Sequence, residues 1–380
     1  MSTSTYDVVV VGAGIVGAAC AEECAREGMR VAIVDRDVVG GGATAAAMGH
    51  IVVLDDSEAQ FALTRYSQQL WQQLRPELAP DVEYEQRGTI WVATDDEEMA
   101  EVRRKHSYYG KRGVPTEVLD PGALELLEPN LRKGLAGGLL VPEDAMLNPL
   151  CAARLLVERA QAAGAKVHLG CAVSEMQAGR LRLADGNELS APAIVNATGA
   201  WAPALTPGLA IKKRKGHLAI TDPYPAFLHH QLVELGYLKS AHSASADSVA
   251  FNVQPRKTGQ VLIGSSRQYG AEHSEVDNDI LVRMLQRAQE YMPRLAQMPA
   301  VRVWTGFRAA TPDKLPLIGP SPAYPTIFLA TGHEGLGITT SLATARLLVD
   351  QIAGRKPAIP IEPYLPSRRE QPSEITGGRV

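Results

Sequence analysis

A strong excess of one charge, paired thiols and long apolar runs are all missing from these 380 residues, and each absence closes a class of function. Lysine and arginine number 38 against 42 aspartates and glutamates, a net charge of −4, and no basic block stands at either end. No nucleic-acid partner is expected from that balance, and no direct binding to an anionic membrane. The four cysteines, Cys20, Cys24, Cys151 and Cys171, form no Cys-x-x-Cys pair and no iron–sulfur run, so no metal site is expected. Cys20 and Cys24 stand four apart in a predicted helix and read as core filling. The longest apolar stretch near the start, Val8 to Ala21, is interrupted by three glycines and has no leading basic residue. Neither a transmembrane segment nor a secretory leader is expected from it. The expected location is cytoplasmic, with peripheral attachment to a membrane through partners left open. Internal repeats and low-complexity linkers are absent as well.

What remains is an ordinary globular composition, 45% hydrophobic and 21% charged, in a chain long enough for one large two-lobed enzyme or two ordinary domains. Val8 to Val11 is a continuous β-branched run, which predicts a strand buried on both faces. Gly12-Ala13-Gly14-Ile15-Val16-Gly17 follows, then an Ala- and Glu-rich helical segment ending near Gly28. Residues 30–34 form a second strand, closed by Asp35. In this setting Gly12, Gly14 and Gly17 make a dinucleotide fingerprint: a tight turn, a backbone open to a pyrophosphate, and close packing of helix on strand. The phosphates sit at the helix N-terminus, where free N–H groups favour negative charge. Asp35 stands where a carboxylate accepts ribose hydroxyls and disfavours the extra phosphate of NADP.

Further along, helices are predicted over residues 57–74, 95–110 (strongly charged, a solvated face), 148–163, 280–292 and 338–352. Strands are predicted over 82–94, 166–169, 189–197 and 326–330, with a hairpin at Asp185-Gly186 and strand signals throughout 212–267. "VNATGAWA" (195–202) and "LATGHEGLGITTS" (329–341) are two more strand-to-glycine turns. An extended flavin nucleotide needs several such contacts, and the last turn aims a helix N-terminus at the ring, where it favours the anionic reduced flavin. FAD is therefore expected rather than NAD. The nucleotide strands scatter from residue 8 to 340. The fold class expected is thus α/β: a discontinuous Rossmann-like FAD-binding domain (1–80, 145–210 and 310–360) with an inserted β-rich substrate domain (81–144 and 211–309). Residues 361–380 form a polar tail.

"DVVVVGAGIVGAACA", "TGFRAATPDKLPLIG" and "ATGHEGLGITTS" together resemble the FAD-dependent amine oxidoreductases, the family of D-amino-acid oxidase, glycine oxidase and sarcosine oxidase. The resemblance spans nearly the whole chain. "AMGHIVV" and "GHEGLGITT" bring it nearest to the flavin subunits of bacterial D-hydroxyproline dehydrogenase and hydrogen cyanide synthase. It implies flavin contacts at Gly12, Gly14, Ile15, Gly17, Asp35 and Arg36, then Ala43, Thr44, Ala47 and Met48 in a second loop. Val173 would meet the adenine, and Thr198, Gly199 and Trp201 would flank the pyrophosphate. Gly332, His333, Glu334, Gly335, Leu336, Gly337, Ile338 and Thr339 would surround the ring. Sarcosine oxidases carry a flavin-linking cysteine shortly before "TPD"; here that stretch is "VWTGFRAATPD", so FAD is expected to bind without a covalent bond.

The resemblance also singles out Arg308 as the clamp for a substrate carboxylate, which a planar guanidinium holds by two parallel hydrogen bonds. The alternative is a structural arginine paired with an acid such as Asp313. His50 and His333 are candidates to face the ring or take the amine proton, against a role in holding their loops by hydrogen bonds. Tyr237 would lie over the substrate or pack in the core, and Glu334 would touch a flavin edge or solvent. The basic run 212–215 reads as a flavin-loop contact plus surface charge. The implied reaction is oxidation of the amine of a small amino or imino acid, such as D-hydroxyproline, to the imine. Electron-accepting partner subunits are implied with it. A flavin-dependent 2-hydroxy-acid oxidoreductase and a non-catalytic flavin subunit are the alternatives.

Overall fold

The computed structural model describes residues 3–236 and 247–368. A six-stranded sheet runs in the order Leu317–Pro320, Ile327–Thr331, Ala193–Asn196, Val8–Val11, Val31–Val34, Lys166–His168, parallel except for the first pair. Alternation along its central strand explains its three layers. Val8 and Val10 face a core shared with the helices Ile15–Arg26, Pro149–Ala162 and Gly337–Ile352. Val9 and Val11 face a second core, closed by Met176, Leu181 and Leu189 of a smaller four-stranded sheet. A strand buried on both faces has no place for a polar residue, hence the unbroken valines. The next strand, Val31–Val34, lies on one side of Val8–Val11 and Ala193–Asn196 on the other, which opens a crevice at their carboxyl ends.

The second large element is a nine-stranded sheet. It runs His333–Glu334, Ala300–Ala310, Lys212–Thr221, Val261–Tyr269, Ser248–Pro255, Gln231–Glu234, Thr89–Ala93, Gly137–Val141, Glu117–Leu119. Helix Asn278–Tyr291 covers one face through Met284, Ala288 and Tyr291, whose ring stacks on Phe251 at 4.4 Å. The short strand His333–Glu334 pairs with Ala309 and Ala310, so the last glycine turn is stitched to this sheet.

Three expectations are corrected. Residues 82–94 do not form one strand: Pro80–Val82 is a 3₁₀ turn, Glu83 and Gly88 have positive φ, and only Thr89–Ala93 is extended. Residues 189–197 are two strands in different sheets, Glu188–Ser190 and Ala193–Asn196. Pro192 between them cannot donate to a ladder and marks the crossing. The charged helix Asp96–Gly110 is not wholly solvated, because Lys105 is buried against Asp55 and Tyr109 donates to the same carboxylate. Cys20 and Cys24 are both buried, as core filling requires.

Candidate functional site

A cavity of about 530 Å³ runs from the first glycine turn to the face of the nine-stranded sheet that carries Arg214 and Arg308. At its first end Gly12 has φ +106°, and a Cβ there would stand 2.6 Å from Ala197 O. A Cβ on Gly17 would overlap Gly12 O, so Gly17 sits behind the turn and lets helix meet strand. Ala13 N donates to Asp35 Oδ2 (2.6 Å) and Asp37 N to Asp35 Oδ1 (2.8 Å). Asp35 thus holds the turn itself, and its remaining lone pairs stay available for hydroxyl donors. Thr44 Oγ1 accepts from Ile15 N (3.0 Å), tying the 43–48 loop to the helix start. The N-cap residue of that helix, Gly14, offers no side-chain cap, so beyond Ile15 N the positive end of the helix dipole borders the cavity. Arg36 stacks on Trp201, 4.7 Å from the ring centroid. Gly14, Ala43, Ala47, Met48, Val173, Thr198 and Gly199 complete this wall.

The middle of the cavity is bordered by Gly332, His333, Glu334, Gly335, Leu336, Gly337 and Ile338, where the second uncapped helix N-terminus begins. Thr339 lies outside the wall: its Oγ1 donates to His50 O (2.8 Å) and accepts from Val52 N (3.3 Å), which locks the 50–52 segment to this helix. His50 and His333 both line the cavity, and burial pushes each imidazole down to about 3, helped at His50 by the Arg256 charge. Both are neutral at physiological pH. His333 Nε2 is 2.9 Å from Thr344 Oγ1, a bond that anchors its ring to the last helix. Glu334, at φ 55°, forms a close ion pair with Arg214.

At the far end Arg308 lies over Gly216, where a Cβ would come within 2.5 Å of its Nη1. Nη1 donates to Ser266 O (2.9 Å), and Asp313, the acid that might have claimed this guanidinium, is instead paired with Arg368 at 2.6 Å. Tyr237 falls outside the described residues. Of the basic run, Lys212 is exposed and Arg214 stands in the cavity wall, while Lys215 is fully buried rather than at the surface. Arg267, Gln60, Trp91 and Asn252 line the cavity without having been singled out by any motif, whereas Arg214 comes from the basic run and Lys314 follows Asp313 in "TGFRAATPDKLPLIG". Strand pairing alone brings most of them together, and no local signal marks that. Among the described residues no cluster of His, Cys, Asp or Glu could hold a metal ion, and no helix is long and apolar enough to cross a membrane.

The family model described as FAD dependent oxidoreductase matches residues 7–351. The glycine oxidase of Geobacillus kaustophilus (strain HTA426) is 28% identical over 95% of this chain and 97% of its own length. The hydrogen cyanide synthase subunit HcnC of Pseudomonas aeruginosa is 27% identical over 96% of each chain. The crystal structure of glycine oxidase from Geobacillus kaustophilus superposes with a TM-score of 0.87 at 27% identity, covering 96% of this chain and 99% of that one. L-proline dehydrogenase from P. horikoshii, at 23% identity and a TM-score of 0.85 over 96% and 98% of the two chains, shares the fold. The residues present suit an extended dinucleotide: a tight glycine turn in which Gly12 and Gly17 have no room for a Cβ, and two helix N-termini without N-cap side chains along one cavity.

Proposed function

Because the chain belongs to the family of FAD-dependent oxidoreductases, we propose that it oxidises the C–N bond of a small amino or imino acid to the imine, with Arg308 gripping the substrate carboxylate. The observation that carries this reading is the Arg308 guanidinium, which lines the same cavity as the nucleotide turns and lies over Gly216. FAD, when bound, supplies the two-electron acceptor for hydride from Cα. The Gly12–Gly17 turn, Asp35 and Thr44 would hold the nucleotide, and the 332–338 turn would border the ring. Arg308 presents a planar pair of N–H donors to the carboxylate and so fixes the direction of the Cα–H bond. His50 and His333, held neutral by burial, are weak acceptors. The amine therefore arrives deprotonated, and kcat/KM rises with pH toward the amine's own pKa with no break near 6.5.

Glycine and D-hydroxyproline, both monocarboxylates, mark the substrate class. An anaerobic titration with D- and L-amino acids, cyclic imino acids, glycine and 2-hydroxy acids tests the reading: amino or imino acids bleach the flavin. Bleaching by hydroxy acids alone would overturn it. The flavin is non-covalent, since residues 301–313 hold no cysteine; acid precipitation should leave a colourless pellet and intact FAD in solution. Electrons pass to a partner subunit or quinone-like acceptor, a reading supported by the relative named as a subunit. Hydrogen peroxide formed as fast as an artificial dye is reduced would count against that acceptor.

A further inference from the structure

The last glycine turn carries one residue that its backbone does not favour. Gly332, Gly335 and Gly337 punctuate it, yet a position with φ 55° is held by Glu334. A left-handed φ costs free energy for any residue with a Cβ, and a non-glycine kept there points to a role for its side chain. Glu334 pairs with Ala309, and an extended residue at that point would share Ala309's face of the sheet, the one away from Arg308. The left-handed turn brings the carboxylate instead to Arg214, which the strand register sets opposite Arg308. Gly335 follows directly, and a Cβ there would lie 3.5 Å from Arg308 Nε. Glu334 and Arg308 are therefore neighbours in the wall of one cavity.

Arg214 takes up half of this carboxylate. The ion pair runs to Glu334 Oε1, while Oε2 is buried and has no hydrogen-bond partner among the described residues. A buried carboxylate oxygen left without a donor is costly, and in a cavity wall the ligand is the group that can supply one. The other acids lining the cavity stand elsewhere: Asp35 and Asp37 belong to the nucleotide end, and Asp56 is exposed. We propose that Glu334 Oε2 accepts a hydrogen bond from the substrate amine, so that Glu334 and Arg308 together hold the two polar ends of one α-amino or α-imino acid. The nitrogen of a preferred substrate then carries at least one hydrogen, as in a primary amine or a ring N–H. With nitrogen and carboxylate both held, the direction in which hydride leaves Cα is fixed. This inference rests on the amine-oxidising reading above for the chemistry, but the contact itself is read without any oxidation.

The test titrates the FAD-loaded protein with 2-aminoisobutyrate and with 2,2-dimethylpropanoate while the flavin absorption is followed. The two acids have the same shape and neither has a hydrogen on Cα to lose; they differ by an ammonium in place of a methyl group. 2-Aminoisobutyrate should bind about tenfold tighter or more, as expected for one charged hydrogen bond. Glu334→Gln should bring that ratio to about threefold or less, whereas Arg308→Ala should weaken both acids alike. If Glu334→Gln retains no FAD, Glu334→Asp should lower the ratio instead, since aspartate tolerates a left-handed φ but is one methylene too short. Equal affinities in the unmodified protein, no spectral response to either acid, or a ratio unmoved by these substitutions would overturn the amine contact and leave Glu334 as the structural partner of Arg214. A flavin that no amino acid bleaches would sink the amine-oxidising reading instead, and the ratio of the two acids would still report on Glu334.

Discussion

At one end the cavity wall is backbone, with Gly12, Gly14 and Gly199 and an uncapped helix N-terminus facing inward; at the other it is side chain, with Arg308, Arg214 and Arg267 each carried by a different strand. Backbone walls form from short local turns, and here a Cβ at Gly12 or Gly17 would strike backbone. Side-chain walls depend on register between distant segments and tolerate change at the cost of specificity. The two ends should therefore fail differently when altered.

The largest effect is expected at Gly17. Gly17→Val pushes a side chain into Gly12 O, and the purified protein should retain no FAD, read from the ratio of absorbance at flavin and protein wavelengths. Stoichiometric flavin in this variant would break the comparison. Arg308→Ala should do the opposite, keeping the flavin spectrum while kcat/KM falls. Truncating a buried charged hydrogen-bond partner costs about 2–5 kcal/mol, or roughly 30- to 5,000-fold. Arg308→Lys should recover part of the loss, since one ammonium cannot reproduce two parallel bonds. An amine without a carboxylate should be affected much less; equal losses on both would make Arg308 a structural residue.

Gly216→Ala sharpens the contrast, because it tests a glycine at the side-chain end. The added methyl meets the Arg308 guanidinium rather than backbone, so the arginine shifts. A displacement of about 1 Å costs up to roughly 100-fold, expected mainly in KM, with FAD retained. Loss of flavin from this variant would show that the two ends are not separable.

The smallest effect concerns the turn between them. His333 has a folded pKa of about 3, below the ordinary value of 6.5. The unfolded chain therefore binds the extra proton first, and this contribution to stability is complete above pH 6.5 and is lost progressively as pH falls toward 3. Between pH 7 and pH 5 the loss is about 2 kcal/mol per such histidine. Urea unfolding of His333→Gln should show a loss smaller by that amount, and an identical pH dependence would remove His333 from the account.

Much of the nucleotide end was legible in the residue order, because its turns are contiguous: Gly12 to Gly17 and Gly332 to Gly337 each bend, expose amides and start a helix within six residues. Errors fell where composition stood in for pairing. The run 212–215 was expected to combine a flavin-loop contact with surface charge; Lys212 is exposed and Arg214 lines the cavity, but Lys215 is fully buried. The alternation across 82–94 is interrupted by the 3₁₀ turn Pro80–Val82 and by the positive φ of Glu83 and Gly88, so that only Thr89–Ala93 is extended.

The sequence by itself determined the glycine turns and the buried parallel strands, since each depends on φ/ψ preference and spacing within a few neighbours, and its motifs carried the resemblance to the FAD-dependent family. Only the tertiary structure decided that Arg308 lies over Gly216, that Asp313 belongs to Arg368, and that Arg214 and Arg267 share its sheet face. A strand dictates which of its own side chains share a face, but not which strands lie beside it. That choice is made by burial of the whole sheet, and with it the charge of the cavity's far end.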